Sequence, residues 1–416
     1  MRTYIEQMSK LSLDQKLAIL SDAAKYDASC ASSGGERRNS QDGKGVGSSG
    51  GSGICHAYAP DGRCISLLKI LMTNFCIFDC VYCVNRVSSQ VERARFTVEE
   101  VVSLTIEFYR RNYIEGLFLS SGIIRSPDDT MADMVRIART LREVENFRGY
   151  IHLKTIPDAS PELLDEAGRW ADRLSINVEL PTVAGLAKLA PEKSATGIRK
   201  TMAAVRQRRE ASREATHTGK RKARFAPAGQ STQMIVGADD ADDSVILTQA
   251  AQLYAGYGLS RVYYSAFSPI PDASALLPLK RPPLLREHRL YQADWLLRFY
   301  GFEVEEIAGA SGMLDLDLDP KLSWALANRA AFPVDVNRAP REMLLRVPGF
   351  GTKTVGRILE ARRHGALRYD HLAAMGAVLK TAKAFITAPG WSPRGLTDDA
   401  ALRARFAPPP VQLALF

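Results

Sequence analysis

Three cysteines stand within eight residues of this sequence, in the segment Cys76-Ile-Phe-Asp-Cys80-Val-Tyr-Cys83. Three soft thiolates spaced C-x3-C-x2-C can converge on one iron–sulfur cluster, because a loop of this length curls around a cluster a few ångströms wide. Cubic clusters usually take four thiolates, so three leave one iron open to a small-molecule ligand. The alternative is a zinc knuckle with Cys64 or His56 as fourth ligand, since structural zinc prefers a closed set of four.

The elements that would position these cysteines form a repeating pattern. Residues 65–72 are apolar and predict a buried parallel strand that ends just before the cysteines. Active sites of α/β proteins lie at such carboxyl ends. Further apolar segments alternate with helical patterns, as in parallel β/α units. They are residues 116–122, 150–154, 173–179, 231–237 and 261–267. The sequence therefore predicts an α/β fold with six strands.

The cysteine spacing, with the aromatic Tyr82 directly before the third cysteine and a strand before the loop, resembles the signature of radical S-adenosylmethionine (SAM) enzymes. The resemblance implies a partial (β/α)6 barrel of the TIM type and a 4Fe–4S cluster held by Cys76, Cys80 and Cys83. It also implies SAM on the open iron, cleaved by one electron to methionine and a 5′-deoxyadenosyl radical that abstracts hydrogen. An electron donor such as flavodoxin or ferredoxin is implied as a partner.

The same resemblance assigns SAM-binding positions to the strand ends. The family's second strand usually ends in Gly-Gly-Glu at the SAM amino group, whereas Ser120, Ser121 and Gly122 stand here and no Glu follows. The backbone can still serve, but the sequence offers no carboxylate for that role.

Later strands supply further polar positions. Ser175, Asn177 and Glu179 alternate and so share one face of a strand. They resemble the residues that meet the ribose and carboxylate of SAM. Ile235 lies in a segment resembling the strand that packs the adenine, and Lys154 is a weaker candidate. The alternative is that these polar residues simply line a wet cavity.

The remaining cysteines, Cys30, Cys55 and Cys64, also fall within the first 83 residues. Thiols crowded into one stretch of a protein from a reducing compartment indicate metal or redox chemistry. They predict a second site, either an auxiliary iron–sulfur cluster or a zinc. The alternative is partly buried thiols without a metal.

Residues 336–363 predict a helix, a tight turn and a second helix. The turn contains two glycines, which allow close backbone approach to a ligand, and the second helix presents its amino-terminal amides to a phosphate. The segment resembles the helix-hairpin-helix module of DNA repair and recombination proteins, over residues 335–386. Such modules grip the DNA backbone without reading sequence. The candidate DNA-binding residues are Pro348, Gly349, Phe350, Gly351, Thr352, Lys353 and Arg357. The alternative is a small helical docking domain.

The net charge of +9 is concentrated in two segments. Residues 206–224 hold eight Lys and Arg against two Glu, and residues 334–388 hold ten against four acids. The first segment is a basic insert between two predicted strands. It is either a nucleic-acid grip near the barrel mouth or a solvated helix end followed by a loop.

The carboxyl-terminal tail ends in an apolar motif after the spacer Ala407-Pro-Pro-Pro410. Gln412, Leu413, Leu415 and Phe416 resemble the peptide that docks in the pocket of the bacterial sliding clamp. The alternative is a tail that packs on its own protein.

Together these features resemble a bacterial family of radical SAM proteins of DNA modification and repair. The predicted order is an amino-terminal helical segment with a Gly/Ser-rich loop (1–54), the barrel (55–310, basic insert 206–228), a linker (311–333), the helix-hairpin-helix domain (334–388) and a flexible tail (389–416). We expect a cytoplasmic protein with no membrane partner that abstracts hydrogen from a DNA nucleotide. The alternatives are a radical SAM enzyme that modifies RNA or tRNA, and a non-catalytic iron–sulfur adaptor on DNA.

Overall fold

A computed structural model describes residues 11–24, 54–58, 64–217, 224–395 and 401–407. The chain divides into two compact units, Met1–Ala241 with Gln252–Pro282, and Asp242–Ala251 with Pro283–Phe416. No helix in the described ranges is both long and apolar enough to cross a bilayer.

The first unit is built on one curled sheet of seven strands, which follow one another in sequence order. They are β1 (Ile54–Tyr58), β2 (Cys64–Leu71), β3 (Gly116–Ser120), β4 (Tyr150–Lys154), β5 (Arg173–Ser175), β6 (Gly229–Val236) and β7 (Arg261–Ala266). β1 is antiparallel to β2, and every later pair is parallel. All six predicted strands are present, so the α/β half-barrel is confirmed. β1 was not predicted.

One helix precedes this sheet, and the others lie between its strands in the chain. They are α1 (Leu13–Ala24), α2 (Val98–Arg110), α3 (Pro127–Glu143), α4 (Pro161–Trp170), α5 (Val183–Leu189), α6 (Ala195–His217) and α7 (Asp243–Tyr257). The start of α2 shows how local sequence sets these boundaries. Thr97 Oγ1 accepts from the Glu100 N–H at 3.2 Å, and the Glu100 carboxylate accepts from the Thr97 N–H at 2.8 Å. This capping box satisfies two amides that the helix leaves without partners.

The barrel-mouth hypothesis placed the basic insert at the carboxyl edge of the sheet, and the helical part that the structure describes is not there. Residues 206–217 are the last three turns of α6, the helix before β6. A helix in a parallel β/α unit returns the chain to the amino-terminal edge of the next strand. Accordingly, Arg206 donates to the carbonyls of Ala255 and Gly256, close before β7. Residues 206–217 therefore run to the edge opposite the cysteine loop.

The second unit is mainly helical. Its helices are α8 (Leu284–Phe299), α9 (Val304–Ala308), α10 (Pro320–Ala327), α11 (Arg341–Arg346), α12 (Thr352–Ala361), α13 (His371–Ala374), α14 (Leu379–Ala382) and α15 (Leu402–Phe406). Two short strands, β8 (Val334–Asp335) and β9 (Ile386–Thr387), pair in parallel. Phe332, Leu344, Phe350, Ile358 and Phe385 are among the buried residues of its core.

Two segments are more ordered than the sequence suggested. The expected linker, residues 311–333, contains α10 and contributes buried Leu318 and Leu322 to the core. In the expected flexible tail, Leu402 is buried and the Phe406 ring stacks on Phe385, with ring centroids 6.2 Å apart. Apolar side chains at helical spacing explain both differences, because they cover the core of this unit.

Candidate functional site

The cysteine loop follows β2 and is fastened to two neighbouring elements. Gly122 N donates to Thr73 O, and Ile77 N donates to Ile123 O, both at 2.8 Å. On the other side, Val81 N donates to Leu189 O, at the end of α5, at 2.7 Å. The chain that carries the cysteines is therefore held between the end of β3 and the end of α5.

A single arginine fixes the rest of this loop. The Arg93 guanidinium donates to the carbonyls of Asn85 at 2.9 Å, Arg86 at 2.6 Å and Ser89 at 3.0 Å, and also to that of Asn74. Its planar fork of donors reaches four carbonyls that belong to no helix or strand. Sequence reasoning missed Arg93, because nothing in the cysteine motif signals it.

The three cysteines are neighbours in a partly buried setting. Cys80 is buried, while Cys76 and Cys83 are half-buried. Burial raises the pKa of the Cys80 thiol to about 12, with Lys193 lowering it and Cys83, Glu179 and Cys76 raising it. The thiols are thus close enough to interact electrostatically. Cys80 stays protonated unless a metal stabilises the thiolate.

The chemistry of this donor set is that of an iron–sulfur cluster. Cys76, Cys80 and Cys83 lie on one loop and are at least half-buried. Soft thiolates are the usual ligands of such clusters, and three of them leave one iron of a cubic cluster open.

The end of β3 offers a cradle beside the loop. Ser120 Oγ is buried and has no hydrogen-bond partner among the described atoms. Two residues on, a Cβ at Gly122 would lie 2.1 Å from Phe75 O, so only glycine allows this approach. Ser121 bonds its own chain, its Oγ donating to Gly122 O at 2.7 Å. A buried hydroxyl without a partner is unusual in a folded protein and fits a site for a polar cofactor.

Ser175 and Asn177 share a face, as predicted. Asn177 Nδ2 donates to Gln233 Oε1 at 3.3 Å. Ser175 Oγ lies 3.1 Å from Ser231 Oγ and hydrogen-bonds His152. β5 itself ends at Ser175, earlier than the expected residue 179.

Glu179 adopts a left-handed backbone conformation, with φ of +64°, and its side chain meets a lysine that sequence reasoning missed. Lys193 Nζ donates to Glu179 Oε1 at 2.6 Å and to Tyr82 Oη at 3.5 Å. Burial raises the pKa of Tyr82, Glu179 raises it further and Lys193 opposes the shift. The phenol is therefore a neutral group at the edge of the cysteine loop. Lys193 escaped notice because it is 14 residues from Glu179 and in no repeating pattern.

Two further predicted residues come together beside this pair. Tyr82 and Ile235 both pack against an apolar cluster that includes Leu180, Leu189 and Phe267. Ile235 N also donates to Glu179 O at 2.7 Å, so Tyr82, Glu179 and Ile235 lie near one another.

The other cysteines are not gathered in the same way. Cys64 begins β2 and is exposed, whereas the cysteine loop follows the other end of that strand, about 23 Å away at the usual rise of a strand. Cys55 pairs with Leu67, three positions from Cys64, so the two side chains point to opposite faces. The structure thus contradicts Cys64 as a fourth ligand of the loop, and also a site shared by Cys55 and Cys64. Cys30 lies outside the described residues.

In the second unit, α11 and α12 are joined by a hairpin at residues 347–351. Gly349 has φ of +86°, and a Cβ there would lie 2.6 Å from Val378 O. Lys353 and Arg357 are exposed on α12, and Thr352 and Gly351 are half-buried at its start. Pro348 and Phe350 are buried, and Phe350 belongs to the core. The assignment of Phe350 to DNA binding stays a prediction, and its side chain belongs to the core of this unit.

A buried lysine hydrogen-bonds the backbone of this hairpin. Lys321 Nζ donates to Phe350 O at 2.6 Å and lies 4.7 Å from the centroid of the Tyr300 ring. Burial lowers the pKa of Lys321 to about 7, and Asp319 opposes this shift. The clamp-like motif, Gln412 to Phe416, lies outside the described residues.

The family comparison decides what the first unit is. Residues 70–219 match the radical SAM superfamily. The chain contains a radical SAM enzyme domain. This confirms the resemblance seen in the cysteine spacing, while the match leaves the reaction unspecified. A 4Fe–4S cluster and SAM are the cofactors of the radical SAM domain, and it requires a one-electron donor.

Several solved structures are similar to part of this chain. The FeFe-hydrogenase maturase HydG from Carboxydothermus hydrogenoformans is 15% identical, with a TM-score of 0.41 over 55% of this chain and 50% of that chain. A radical SAM methyltransferase from Sphaerobacter thermophilus is 18% identical, with a TM-score of 0.39 over 62% and 73%. Coproporphyrinogen III oxidase from Escherichia coli is 14% identical, with a TM-score of 0.34 over 54% and 50%.

The aligned region spans about half the length of the maturase. Likeness at this level does not identify a substrate. No curated protein matches the sequence.

Proposed function

We propose that the chain is a radical SAM enzyme that acts on DNA, with the cluster held by Cys76, Cys80 and Cys83. The observation that supports DNA as the substrate is the hairpin of the second unit. There, two glycines precede a helix that exposes Lys353 and Arg357. Helix-hairpin-helix modules use this arrangement to hold a phosphate at the amino-terminal amides.

When bound, the cluster and SAM supply a radical that takes hydrogen from the substrate. The chain's own residues orient that chemistry. Ser120 Oγ is the buried hydroxyl available to the polar groups of SAM, with the backbone of Ser121 and Gly122 beside it. Tyr82 and Ile235 present the apolar wall for its adenine.

The residues beside the cysteine loop would bind the polar end of SAM. Ser175 and Asn177 bond neighbouring side chains of β6 and precede Glu179, whose carboxylate is held in place by Lys193. A carboxylate oriented by a buried ammonium is a well-defined acceptor for ribose hydroxyls, because its rotamer is fixed before the ligand arrives.

The charge distribution supports the DNA substrate. Residues 334–388 carry ten Lys and Arg against four acids, and the exposed cations include Lys353 and Arg357. A backbone grip of this kind is independent of sequence and weakens steeply with salt.

Turnover tests the enzyme. Anaerobic, reduced protein with a full cluster should convert SAM to 5′-deoxyadenosine, and the Cys80→Ala variant should not. Mass spectrometry of a panel of damaged duplexes after turnover then identifies the altered nucleotide. A full cluster that never cleaves SAM, with or without DNA, indicates an adaptor instead.

DNA binding is tested separately from SAM cleavage. The Lys353→Glu and Arg357→Glu variants should bind duplex DNA more weakly and with a flatter salt dependence. An exposed cation of the first unit, Arg139, provides the control as Arg139→Glu. Unchanged DNA binding in both α12 variants refutes the DNA grip.

Recruitment to the sliding clamp is proposed from the tail sequence. Deleting Gln412 to Phe416 should abolish clamp pulldown and leave SAM cleavage intact. If the clamp still binds, the tail is not its ligand.

A further inference from the structure

The amino-terminal edge of the sheet carries arginines that radical SAM chemistry does not use. Arg173 begins β5, and Arg261 begins β7. Arg209 lies in the last turns of α6, and its Nη1 donates to Gly258 O at 3.2 Å, just before β7. The three guanidinium groups therefore belong to one edge, opposite the cysteine loop.

Two of these cations are buried. Arg173 is 7% exposed and Arg209 is 8% exposed. Within the ranges that the structure describes, neither guanidinium has a carboxylate at ion-pair distance. Arg173 Nη1 donates to Tyr263 Oη at 3.4 Å, and its Nε has no partner among the described atoms.

Two acids near this edge are engaged by other arginines. Asp172 accepts from Arg142 at 2.7 Å, and Glu210 accepts from Arg206 at 2.7 Å. Neither carboxylate is therefore a dedicated counter-ion of Arg173 or Arg209.

Electrostatic repulsion within this group affects the pKa of Arg209. Burial lowers its pKa, Arg213 and Arg173 lower it further, and Glu210 opposes them. Burying a guanidinium without a counter-ion is strongly unfavourable. An anion between these side chains would remove that penalty.

The open side of the group offers neutral donors. Tyr150 and Tyr263 are half-buried, and the Arg261 guanidinium lies 5.8 Å from the Tyr263 ring centroid. Burial raises the pKa of Tyr150 to about 12, Tyr263 and Asp172 raise it too, and Arg173 opposes them. This phenol therefore remains protonated and can donate to an anion.

We propose that Arg173, Arg209 and Arg261 form a phosphate-binding site at the amino-terminal edge of the sheet, with Tyr150 and Tyr263 as additional donors. Guanidinium forks match phosphate oxygens in pairs. The ligand is a phosphate group, carried by a free nucleotide or by a nucleic-acid backbone. The site is separate from that proposed for SAM and does not depend on the function proposed for the second unit.

Calorimetric titration of the full-length, cluster-loaded protein in phosphate-free buffer tests this site. The probes are inorganic phosphate, 5′-dAMP, deoxyadenosine and a single-stranded DNA decamer. Arg173→Gln and Arg261→Gln should each weaken phosphate and 5′-dAMP binding about tenfold, the loss expected for one charged hydrogen bond. Arg139→Gln, at an exposed i,i+4 pair on α3, should bind like the wild type.

Folding and catalysis are checked in the same variants. Iron content and SAM cleavage should be unchanged, because the site is at the other end of the strands. The melting temperature of Arg173→Gln in phosphate-free buffer should not fall, since a buried cation without a counter-ion has been removed. Phosphate should raise the melting temperature of the wild type, and this rise should be absent in Arg173→Gln.

The probes distinguish the source of the phosphate. A decamer that competes with inorganic phosphate supports a nucleic-acid backbone, and binding of 5′-dAMP alone supports a free nucleotide. If the wild type binds no phosphate probe, if deoxyadenosine binds as well as 5′-dAMP, or if both arginine variants bind normally, the proposal is wrong.

Discussion

Lys193 and Glu179 form a buried ion pair beside the cysteine loop, with Nζ and Oε1 2.6 Å apart and side chains 12% and 8% exposed. Glu179 lies between β5 and α5, and Lys193 lies in the turn before α6. The ion pair therefore connects the two ends of the segment that contains α5. The pair orients Glu179 without leaving either charge uncompensated.

Removing one charge from this pair should be far more damaging than removing both. Glu179→Gln leaves a buried ammonium without its carboxylate, and we expect it to lower the free energy of unfolding by about 3–5 kcal/mol. The double variant Glu179→Gln with Lys193→Met should recover most of that loss. Chemical denaturation of the wild type, Glu179→Gln, Lys193→Met and the double variant measures the coupling energy between the two side chains.

An exposed pair provides the comparison. Arg139 and Glu143 lie 2.7 Å apart with side chains about half exposed, and Glu143→Gln should change stability by less than about 1 kcal/mol. Equal losses for Glu179→Gln and Glu143→Gln would contradict the role given to burial.

The second prediction concerns Gly122 and the assembly of the iron–sulfur cluster. The Gly122→Ala variant places a methyl group against the Phe75 carbonyl, next to Cys76, so the cysteine loop must shift. We expect iron content after reconstitution to fall from about four atoms per chain to well below that value. Gly256→Ala, where a Cβ meets nothing within 4 Å, should retain full iron. Normal iron loading in Gly122→Ala would show that the loop tolerates the displacement.

The third prediction concerns Arg93, which hydrogen-bonds the backbone of the same cysteine loop. The Arg93→Lys variant keeps the charge but replaces a planar fork with one ammonium, which cannot reach four separate carbonyls. We expect faster proteolysis within residues 74–89 and loss of iron. Arg136→Lys, at an exposed pair with Asp133, is the matched control. Wild-type proteolysis in Arg93→Lys would mean that charge alone holds the loop.

Much of this site followed from the sequence, because its signals were local. The C-x3-C-x2-C spacing, the apolar strand before it and the alternation of Ser175 and Asn177 are patterns within short windows. Lys193 and Arg93 were missed because their partners are distant in sequence or are backbone carbonyls. β1 was missed because its pairing with β2 forms an antiparallel ribbon outside the repeating β/α pattern.

The second unit illustrates a different limit. The hairpin glycines were readable from turn chemistry, but the burial of Phe350 was not. Phe350 shares its buried cluster with Leu322 of α10, a helix in the segment interpreted as a linker. The sequence likewise showed nothing to connect Lys321 with the hairpin.

Lys321 predicts how the stability of the second unit depends on pH. Its folded pKa of about 7 is below the ordinary value of 10.5, because burial disfavours the ammonium. Between these two values the unfolded chain binds a proton that the folded chain does not, so unfolding becomes less favourable as pH rises. The stability of the wild type should therefore rise from pH 7 to pH 10 relative to Lys321→Met, by on the order of a few kcal/mol. Below pH 7 the difference between the two proteins should be constant, since both states are then protonated. Denaturant titrations across this range test whether the pKa of Lys321 is lowered in the folded protein. Lys353→Met removes an exposed lysine and is the control, because the stability difference between it and the wild type should not change with pH.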